Sequence, residues 1–438
     1  MNRLSIIRLA SFCLTAAVLS CTAGCATSLF RPATDTQRPL DSVSISDDIT
    51  TPADITDAIA TRPTESDSES DTTAPPVPVV LTASFIGCGD NLTYYGNVRD
   101  AKSCALANGR AYNFAPTYSL VADRIAAADI AFINQETLMC GDGYDYSYYP
   151  YFNSPQELGF DLRDIGFDVI NMANNHMLDK GADGLSATID FWNGMDGVTL
   201  IGGYKNQADY DEIRIVEASG IRVAFLAYTF ETNYLRLPAS SPLIVPTPDE
   251  ETVRAQVSRA KELADFVLVS VHWGVENSFT PDASQTEFST LLAELCVDAV
   301  IGHHPHVIQP VEWIDRPDGG RMLCVYSLGN FVAEMAREYN MLGGMIAFDM
   351  VLTDGAPTIE NVEFIPTVYY YDRSFYNNRV YYYADFTKEL AESHGIVYYD
   401  RTITVDNITG YLKNTISEEF LSLRSAYEAE HPAVSEER

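Results

Sequence analysis

The sequence predicts an α/β protein in which helices pack on mixed β-sheets, and three observations favour this fold class. Between residues 79 and 301, short apolar runs alternate with stretches in which apolar residues recur at helical spacing. After Gly302 the helical stretches become rare, and further apolar runs indicate antiparallel strands. The 438 residues are 46% hydrophobic, which is enough to build a large core.

The elements follow from local composition. Strands are predicted where β-branched and aromatic residues cluster, at 79–86, 130–133, 167–172, 198–201, 221–228, 266–271, 299–301, 307–314, 321–327, 344–352 and 362–369. Helices are predicted where apolar residues keep a helical period, at 119–128, 154–165, 182–195, 248–263 and 285–295. The last residues, 418–438, are expected to form a polar helix or to be disordered.

The N-terminus is predicted to be an export signal. Arg3 and Arg8 precede an apolar run, 9–20, that is too short to span a bilayer as a helix. Small residues then precede Cys25, a pattern that resembles a bacterial lipobox, with an ordinary cleaved signal peptide as the alternative. Residues 1–25 are therefore interpreted as a lipoprotein signal with Cys25 as the lipidation site. The protein is expected on the extracytoplasmic face of the cell membrane.

Three further segments are predicted after the signal. Residues 26–78 are rich in Ser, Thr, Asp and Pro and nearly free of aromatics, which is typical of a disordered, extended tether. Residues 79–370 are expected to form the globular domain. Residues 371–438 are expected to be a partly helical C-terminal extension.

The net charge of −33 limits the partners. A surface this acidic repels phosphate backbones, so no nucleic-acid partner is expected. It also repels polyanionic substrates unless bound cations reverse the field locally. Among the cysteines, Cys104 and Cys140 lie in polar loop sequence and could form a disulfide, whereas Cys296 and Cys324 are expected to be buried thiols.

Histidines and carboxylates are predicted to meet at the carboxyl ends of strands. Five of the seven histidines follow predicted strands, and Asp90 and Glu136 end the first two strands. Ligands of open α/β sheets bind outside the carboxyl ends of the strands. Imidazole, carboxylate and amide donors suit zinc, manganese or iron, so one or two divalent metal ions are expected. The five histidines are His176, His272, His303, His304 and His306.

Structural roles compete with metal binding at each of these positions. A strand-end aspartate often caps a turn or helix, and a lone histidine such as His272 is as often structural. His304 and His306 favour a ligand role, because two imidazoles two residues apart in extended chain point to the same side. His394 and His431 lie in polar sequence and are expected to be surface residues.

Six segments in order resemble the CapA family, the poly-γ-glutamate capsule synthesis proteins of the calcineurin-like metallophosphoesterase superfamily. The resemblance covers residues 80–370 and implies an α/β/β/α sandwich with mixed sheets that holds metal ions between its sheets. The segments are Gly89-Asp90, Asn134-Gln135-Glu136, Asn174-Asn175-His176 with Leu178-Asp179 and Gly181, His272-Trp273-Gly274 with Glu276, Gly302-His303-His304-Pro305-His306, and Tyr326-Ser327-Leu328-Gly329-Asn330-Phe331.

The resemblance also implies roles for individual residues. His176 is the implied catalytic group, and Asp179, Glu276 and His303 are candidates for groups that surround and orient the ligands. The implied metal ligands are Asp90, Glu136, Asn175, His272, His304 and His306.

Two departures from the superfamily pattern bear on activity. Leu92 stands where the superfamily usually has a histidine, and Asn134-Gln135-Glu136 replaces the usual Gly-Asp of the second strand. The first change removes an imidazole and the second lengthens a carboxylate arm. A single-metal site, or a site that binds without turnover, therefore stays open.

Three functions are compatible with these observations. The first is a metal-dependent, phosphoesterase-like hydrolase in the synthesis or export of capsule or poly-γ-glutamate polymer. The second is a non-catalytic assembly factor that binds polymer in a degenerate cleft. The third is a sugar- or peptidoglycan-binding lipoprotein, suggested by tyrosines at 144–151 and 369–383. The expected partners are the membrane, through the lipid, and membrane proteins of polyglutamate or capsule biosynthesis.

Overall fold

The computed structural model describes residues 78–105 and 109–424. The predicted signal with Cys25, the tether up to residue 77, and residues 425–438 with His431 lie outside the described residues. Within the described ranges, no helix combines the length and apolar character needed to cross a bilayer.

The strands are rich in β-branched and aromatic residues, and most of them lie where the sequence predicts them. They are β1 (Val80–Asn91), β2 (Ile130–Gln135), β3 (Val169–Asn171), β4 (Thr199–Ile201), β5 (Arg214–Ala218), β6 (Ile221–Thr229), β7 (Phe266–His272), β8 (Ala299–His303), β9 (Val311–Asp315), β10 (Arg321–Val325), β11 (Asn330–Val332), β12 (Leu342–Thr353), β13 (Ala356–Tyr370) and β14 (Arg379–Tyr382).

The longer helices bury one face and have polar side chains at their N-termini. In α7 and α8 the side chains of Asp249 and Asp282 accept hydrogen bonds from the first helical turn. The α-helices are α1 (Tyr95–Ser103), α2 (Ala115–Tyr118), α3 (Ala122–Ala126), α4 (Glu157–Ile165), α5 (Gly181–Asn193), α6 (Gln207–Asp211), α7 (Glu250–Leu263), α8 (Ala283–Glu294), α9 (Lys388–Ser393) and α10 (Val405–Thr415).

The strands form two mixed sheets. The first is eight-stranded, with the order β14-β13-β12-β1-β2-β3-β4 and with β11 paired to β1. The second is six-stranded, with the order β5-β6-β7-β8-β10-β9. Neighbours from β1 to β4 are parallel, as are β6, β7 and β8. The predicted α/β class with mixed sheets is confirmed.

The two sheets pack face to face. Phe85 of β1 stacks on Phe225 of β6 with ring centroids 6.5 Å apart, and Phe132 of β2 lies 5.6 Å from the ring of His303 at the end of β8. Helices α7 and α8 form a separate apolar core with the other face of the second sheet. Helices α4 and α5 pack into the core of the first sheet. Parallel strands of both sheets therefore end close together, and the candidate site lies there.

Several predicted elements differ from the structure. The predicted helix 119–128 is only partly confirmed: α3 forms within it, but residues 119–121 are turn and Ser119 bonds back to Pro116 of α2. Residues 307–310 form only an isolated bridge from Ile308 to Leu328, and β9 begins at Val311. Residues 418–424 form no helix. After Tyr370 the chain adds β14 to the first sheet, so the C-terminal segment contributes to the same sheet as β1.

The predicted disulfide is wrong. Cys104 and Cys140 are both free thiols, and the Cys140 sulfur lies 3.5 Å from the carbonyl oxygen of Gly184. Cys324 is buried as predicted, whereas Cys296 is only partly buried.

The predicted surface position of His394 is also wrong. Its Nε2 donates to the carbonyl oxygen of Tyr369 at 3.1 Å, and the main-chain N–H of Ile396 donates to its Nδ1 at 3.0 Å. Burial lowers the pKa of His394 to about 4. This imidazole therefore satisfies two main-chain groups in the core.

The second tyrosine cluster consists mainly of packing residues. Tyr369, Tyr370, Tyr371 and Tyr382 are buried. A sugar-stacking role is therefore wrong for these four tyrosines.

Candidate metal centre

Asp90 is fully buried at the end of β1. Its Oδ1 accepts a hydrogen bond from Asn134 at 2.8 Å, and its Oδ2 accepts one from the main-chain N–H of His304 at 3.2 Å. The Nδ1 atoms of His303 and His306 each lie 3.2 Å from one of its oxygens. Burial raises the pKa of Asp90, but these two imidazoles outweigh burial and hold the pKa well below its usual range.

Glu136 follows β2 and is also buried. Neither carboxylate oxygen has a hydrogen-bond partner in the described part of the chain. Burial, and next the charge of Asp90, raise the pKa of Glu136 well above its usual range. Leaving a buried polar group unpaired costs about 1–3 kcal/mol, and more for a charged group. A bound cation would remove this cost, so the two oxygens fit a metal ion.

Glu136 belongs to two groups of three side chains. Within each group, the potential ligand atoms all lie within 4.8 Å of one another. Asn175 extends the first group, because its Oδ1 lies 3.1 Å from the Nε2 of His272. The structure thus brings all six predicted ligands together, with Glu136 in the position of a bridging carboxylate. The two groups are Glu136, His272 and His304, and Asp90, Glu136 and His306.

The three candidate imidazole ligands differ in charge. Burial, with the charge of His304, lowers the pKa of His272 well below its usual range. Burial and the charge of His306 lower the pKa of His304 to about 3. Burial also acts to lower the pKa of His306, but Glu136 and Asp90 outweigh it and raise the pKa to about 9. Two imidazoles are therefore neutral and ready to bind a metal, whereas His306 must first release a proton.

The turn after β8 brings His304 and His306 to the site in an unexpected way. Their φ angles are 98° and 56°, so the chain is not extended here and the predicted reason for their convergence is wrong. Left-handed backbone at a residue other than glycine costs about 1–3 kcal/mol. The hydrogen bond from His304 to Asp90 helps to hold this strained turn. A Cβ at Gly302 would lie 2.0 Å from the carbonyl oxygen of Tyr326, so only glycine fits before the turn.

His176 lies in the turn after β3 and forms a pair with Asp179. Its Nδ1 is 2.8 Å from Oδ2 of Asp179, and the same oxygen accepts a hydrogen bond from the main-chain N–H of Phe152 at 2.6 Å. The Phe152 ring packs edge-on against the imidazole, with centroids 4.8 Å apart. Asp179 thus fixes a proton on Nδ1 and leaves Nε2 for exchange with a substrate.

This site lies in a chain whose family is identified by sequence. A model of the family described as bacterial capsule synthesis protein PGA_cap matches residues 84–335, which is more than half of the chain. The chain belongs to this family. The match contains all six of the segments that resemble CapA proteins.

The relatives of this PGA_cap chain include two curated Bacillus proteins. The PGA biosynthesis protein CapA of Bacillus subtilis (strain 168) is 32% identical over 173 residues, and the capsule biosynthesis protein CapA of Bacillus anthracis is 33% identical over 177 residues. Each match covers 39% of this chain, and 44% and 41% of the two relatives. The chain therefore spans less than half the length of these two curated relatives.

Solved structures with some similarity include two phosphate-ester enzymes. A phosphatase from Mycoplasma pneumoniae has a TM-score of 0.42 at 12% identity, covering 66% of this chain and 95% of that chain. The calcineurin-like phosphoesterase YfkN from Bacillus subtilis has a TM-score of 0.38 at 12% identity, covering 77% and 97%. At TM-scores below 0.5 the family membership rests on the sequence match alone.

Two of the three residues predicted to surround the ligands lie close to site residues in this PGA_cap protein. Asp179 contacts His176, and His303 lies between Phe132 and Asp90. Glu276 is exposed, and no hydrogen bond or ion pair in the described chain joins it to an imidazole. The charge of Glu276 instead contributes to raising the pKa of His306.

Sequence reasoning missed the asparagines that orient the carboxylate and imidazole ligands. Asn134 donates to Asp90 and accepts a hydrogen bond from Asn171 at 2.8 Å. Asn330 donates to the carbonyl oxygen of Asn340 at 3.0 Å, so its Oδ1 faces the Nδ1 of His306 at 3.0 Å. Both residues lie inside the six segments that resemble CapA proteins. Their places in these segments could have indicated that they contact the site.

Glu231 was also missed. Its Oε1 lies 3.5 Å from the Nε2 of His304, whose Nδ1 is buried without a partner in the described residues. A proton on Nε2 therefore leaves the Nδ1 lone pair of His304 for a metal ion. Glu231 follows β6 just as Glu136 follows β2, and this position was the overlooked signal.

Proposed function

We propose that this protein is a metal-dependent phosphoesterase of the cell envelope that acts in the synthesis or export of capsule or poly-γ-glutamate polymer. One observation carries the proposal: buried Glu136 belongs to both groups of potential ligands, and neither of its carboxylate oxygens has a hydrogen-bond partner in the described part of the chain. Membership of the PGA_cap family and the names of the two Bacillus relatives support the biological setting.

The ligand set suits zinc, manganese or iron, with Glu136 shared by the two groups. Such ions, when bound, polarise a phosphoester and lower the pKa of a coordinated water. In the hydrolysis, the water oxygen forms a new bond to phosphorus. The leaving oxygen keeps the electron pair of the bond that breaks and takes a proton from Nε2 of His176. The proton released by the water then reprotonates Nε2, and Asp179 holds the ring in place throughout.

The proposed location follows from the N-terminal sequence. A lipid on Cys25 would hold the protein at the extracytoplasmic face of the membrane, with 26–78 as a spacer. Membrane proteins of capsule or polyglutamate biosynthesis are the proposed partners. Labelling with radioactive palmitate tests the anchor, because Cys25→Ser should abolish incorporation.

The enzyme proposal is tested by metal analysis together with chromogenic phosphomonoester and phosphodiester assays on the full chain. The protein should bind manganese, zinc or iron and hydrolyse at least one of the two esters. His176→Ala should keep its metal and lose about a hundredfold or more of kcat. His394→Gln, at a histidine that hydrogen-bonds Tyr369 and Ile396 rather than any candidate ligand, is the control and should keep both metal and turnover. If the protein retains no metal under any loading condition, the proposal fails.

A second function, non-catalytic polymer binding, is favoured by one observation. Leu92 is buried against Phe152 and Ala333, so no imidazole from that position joins the group around Asp90. Capsule polymer binding that persists in His304→Ala and in the presence of a chelator, without ester hydrolysis by the unmodified protein, would favour this function.

A further inference from the structure

A cavity of about 490 Å³ lies beside the candidate metal centre. Its lining includes Glu231, whose carboxylate faces His304 at 3.5 Å, and Leu178, which lies in the turn between His176 and Asp179. Another cavity, of about 980 Å³, is lined by residues between 373 and 406 and contains none of the candidate site residues. The smaller cavity is therefore the one placed to hold part of a substrate.

The segment that forms one wall of this cavity also contacts the candidate catalytic group. Asn233 lies between two lining residues, and its Nδ2 is 3.4 Å from the Nδ1 of His176. Its Oδ1 accepts a hydrogen bond from Asn175 at 3.3 Å. A molecule in the cavity would thus lie next to the atoms that hold the reacting ester.

The walls of the cavity are mainly apolar and include two exposed aromatic rings. Leu235, Leu237 and Val245 line it together with Phe230 and Tyr234. The side chains of Phe230 and Tyr234 are 36% and 96% exposed. Aromatic surface left open to water beside an apolar wall is typical of a ligand-binding site.

One cationic side chain also lines the cavity. Arg236 is exposed, and it forms no hydrogen bond or ion pair with the residues that the structure describes. The opposing carboxylate, Glu231, faces the imidazole of His304. In a chain with a net charge of −33, a guanidinium without a carboxylate partner is a local attraction for an anion.

We infer that this cavity binds the leaving group of the substrate, and that the leaving group has an apolar or aromatic body with an anionic end, carboxylate or phosphate. The body packs on Phe230, Tyr234 and Leu237, and the anion pairs with Arg236. The inference rests on the proposed phosphoesterase function, because it assigns this cavity to the alcohol side of the ester.

The test compares 2-naphthyl phosphate with 6-carboxy-2-naphthyl phosphate and naphthalene-2,6-diyl bisphosphate, using the full chain loaded with manganese. The two anionic substrates should have a kcat/KM about tenfold higher than the neutral-ended one, as expected for a charge-assisted hydrogen bond at a partly exposed site. Preference for only one of them would identify the anion. Arg236→Gln should remove the preference by lowering kcat/KM for the two anionic substrates about tenfold. Arg401→Gln, an exposed arginine outside the cavity lining, should leave the preference unchanged.

A binding measurement separates failure of the subsite from failure of the phosphoesterase proposal. Binding of the fluorescent leaving group, 6-hydroxy-2-naphthoate, should weaken about tenfold in Arg236→Gln and also weaken in Tyr234→Ala. If no ester is hydrolysed but this binding pattern holds, the enzyme proposal fails. The inference that the cavity binds an apolar or aromatic molecule with an anionic end then still stands. If Arg236→Gln binds the naphthoate as tightly as the unmodified protein, the subsite inference is overturned whatever the hydrolysis shows.

Discussion

Replacing Glu136 with glutamine should make the metal-free protein more stable while abolishing tight metal binding. The side chain is buried and neither oxygen has a hydrogen-bond partner in the described chain, so glutamine of nearly equal shape removes a charged form that the site cannot satisfy. We expect the free energy of unfolding of the metal-free protein to rise by about 1–3 kcal/mol at pH 8. The raised pKa gives the sign of the pH dependence. The unfolded chain loses this proton near pH 4.5 and the folded chain retains it, so the cost of Glu136 increases as pH rises.

The assay is urea unfolding followed by tryptophan fluorescence, with and without manganese, for the unmodified protein and Glu136→Gln. Manganese at a hundred times its Kd should stabilise the unmodified protein by about 2.7 kcal/mol and should leave the variant almost unchanged. Glu287→Gln, at an exposed position of α8, controls for the loss of one negative charge. If Glu136→Gln is less stable than the metal-free parent at pH 8, or binds manganese with equal affinity, Glu136 is not an unsatisfied bridging ligand.

Three further predictions concern neighbouring and distant groups. Asp179→Asn should lower kcat about ten- to a hundredfold with metal content unchanged, because His176 loses its orienting carboxylate; an equal loss of bound metal would contradict this. Glu231→Ala should weaken manganese binding about tenfold by calorimetry and Glu231→Gln much less, because the glutamine oxygen can still accept a hydrogen bond from His304; equal effects of both variants would argue against orientation. His394 has a folded pKa of about 4 against 6.5 unfolded, so the stability it contributes is complete above pH 6.5 and falls by about 3 kcal/mol as pH drops to 4. In urea unfolding between pH 4 and 7, His394→Gln should show a correspondingly shallower pH dependence, and an unchanged slope would refute it.

The sequence predicted those site residues that lie at the ends of strands. Asp90, Glu136 and His272 each end or follow a parallel strand, and the parallel order of these strands brings their side chains together. Glu231 could have been found by the same rule. It was not predicted because none of the six segments that resemble CapA proteins contains it.

Other features depend on tertiary contacts that a local pattern does not contain. His394 lies in polar sequence, yet main-chain groups of Tyr369 and Ile396 hold it in the core. His304 and His306 converge because both residues have left-handed backbone. This conformation costs energy locally, and contacts with the surrounding structure hold it in place. The pattern of alternating histidines indicated the right residues for the wrong conformational reason.

The two ligand groups around Glu136 are unequal, and this inequality decides what the site can do. The first group gains the Asn175 oxygen beside two neutral imidazoles. The second depends on Asp90 and on His306, whose raised pKa means that a metal ion must displace a proton there. Leu92 is packed in an apolar cluster and supplies no further ligand. We therefore expect the first ion to bind more tightly than the second. Under the proposed phosphoesterase function, hydrolysis would then depend on whether the weaker position fills, since two ions would be needed to stabilise both the attacking and the leaving oxygen.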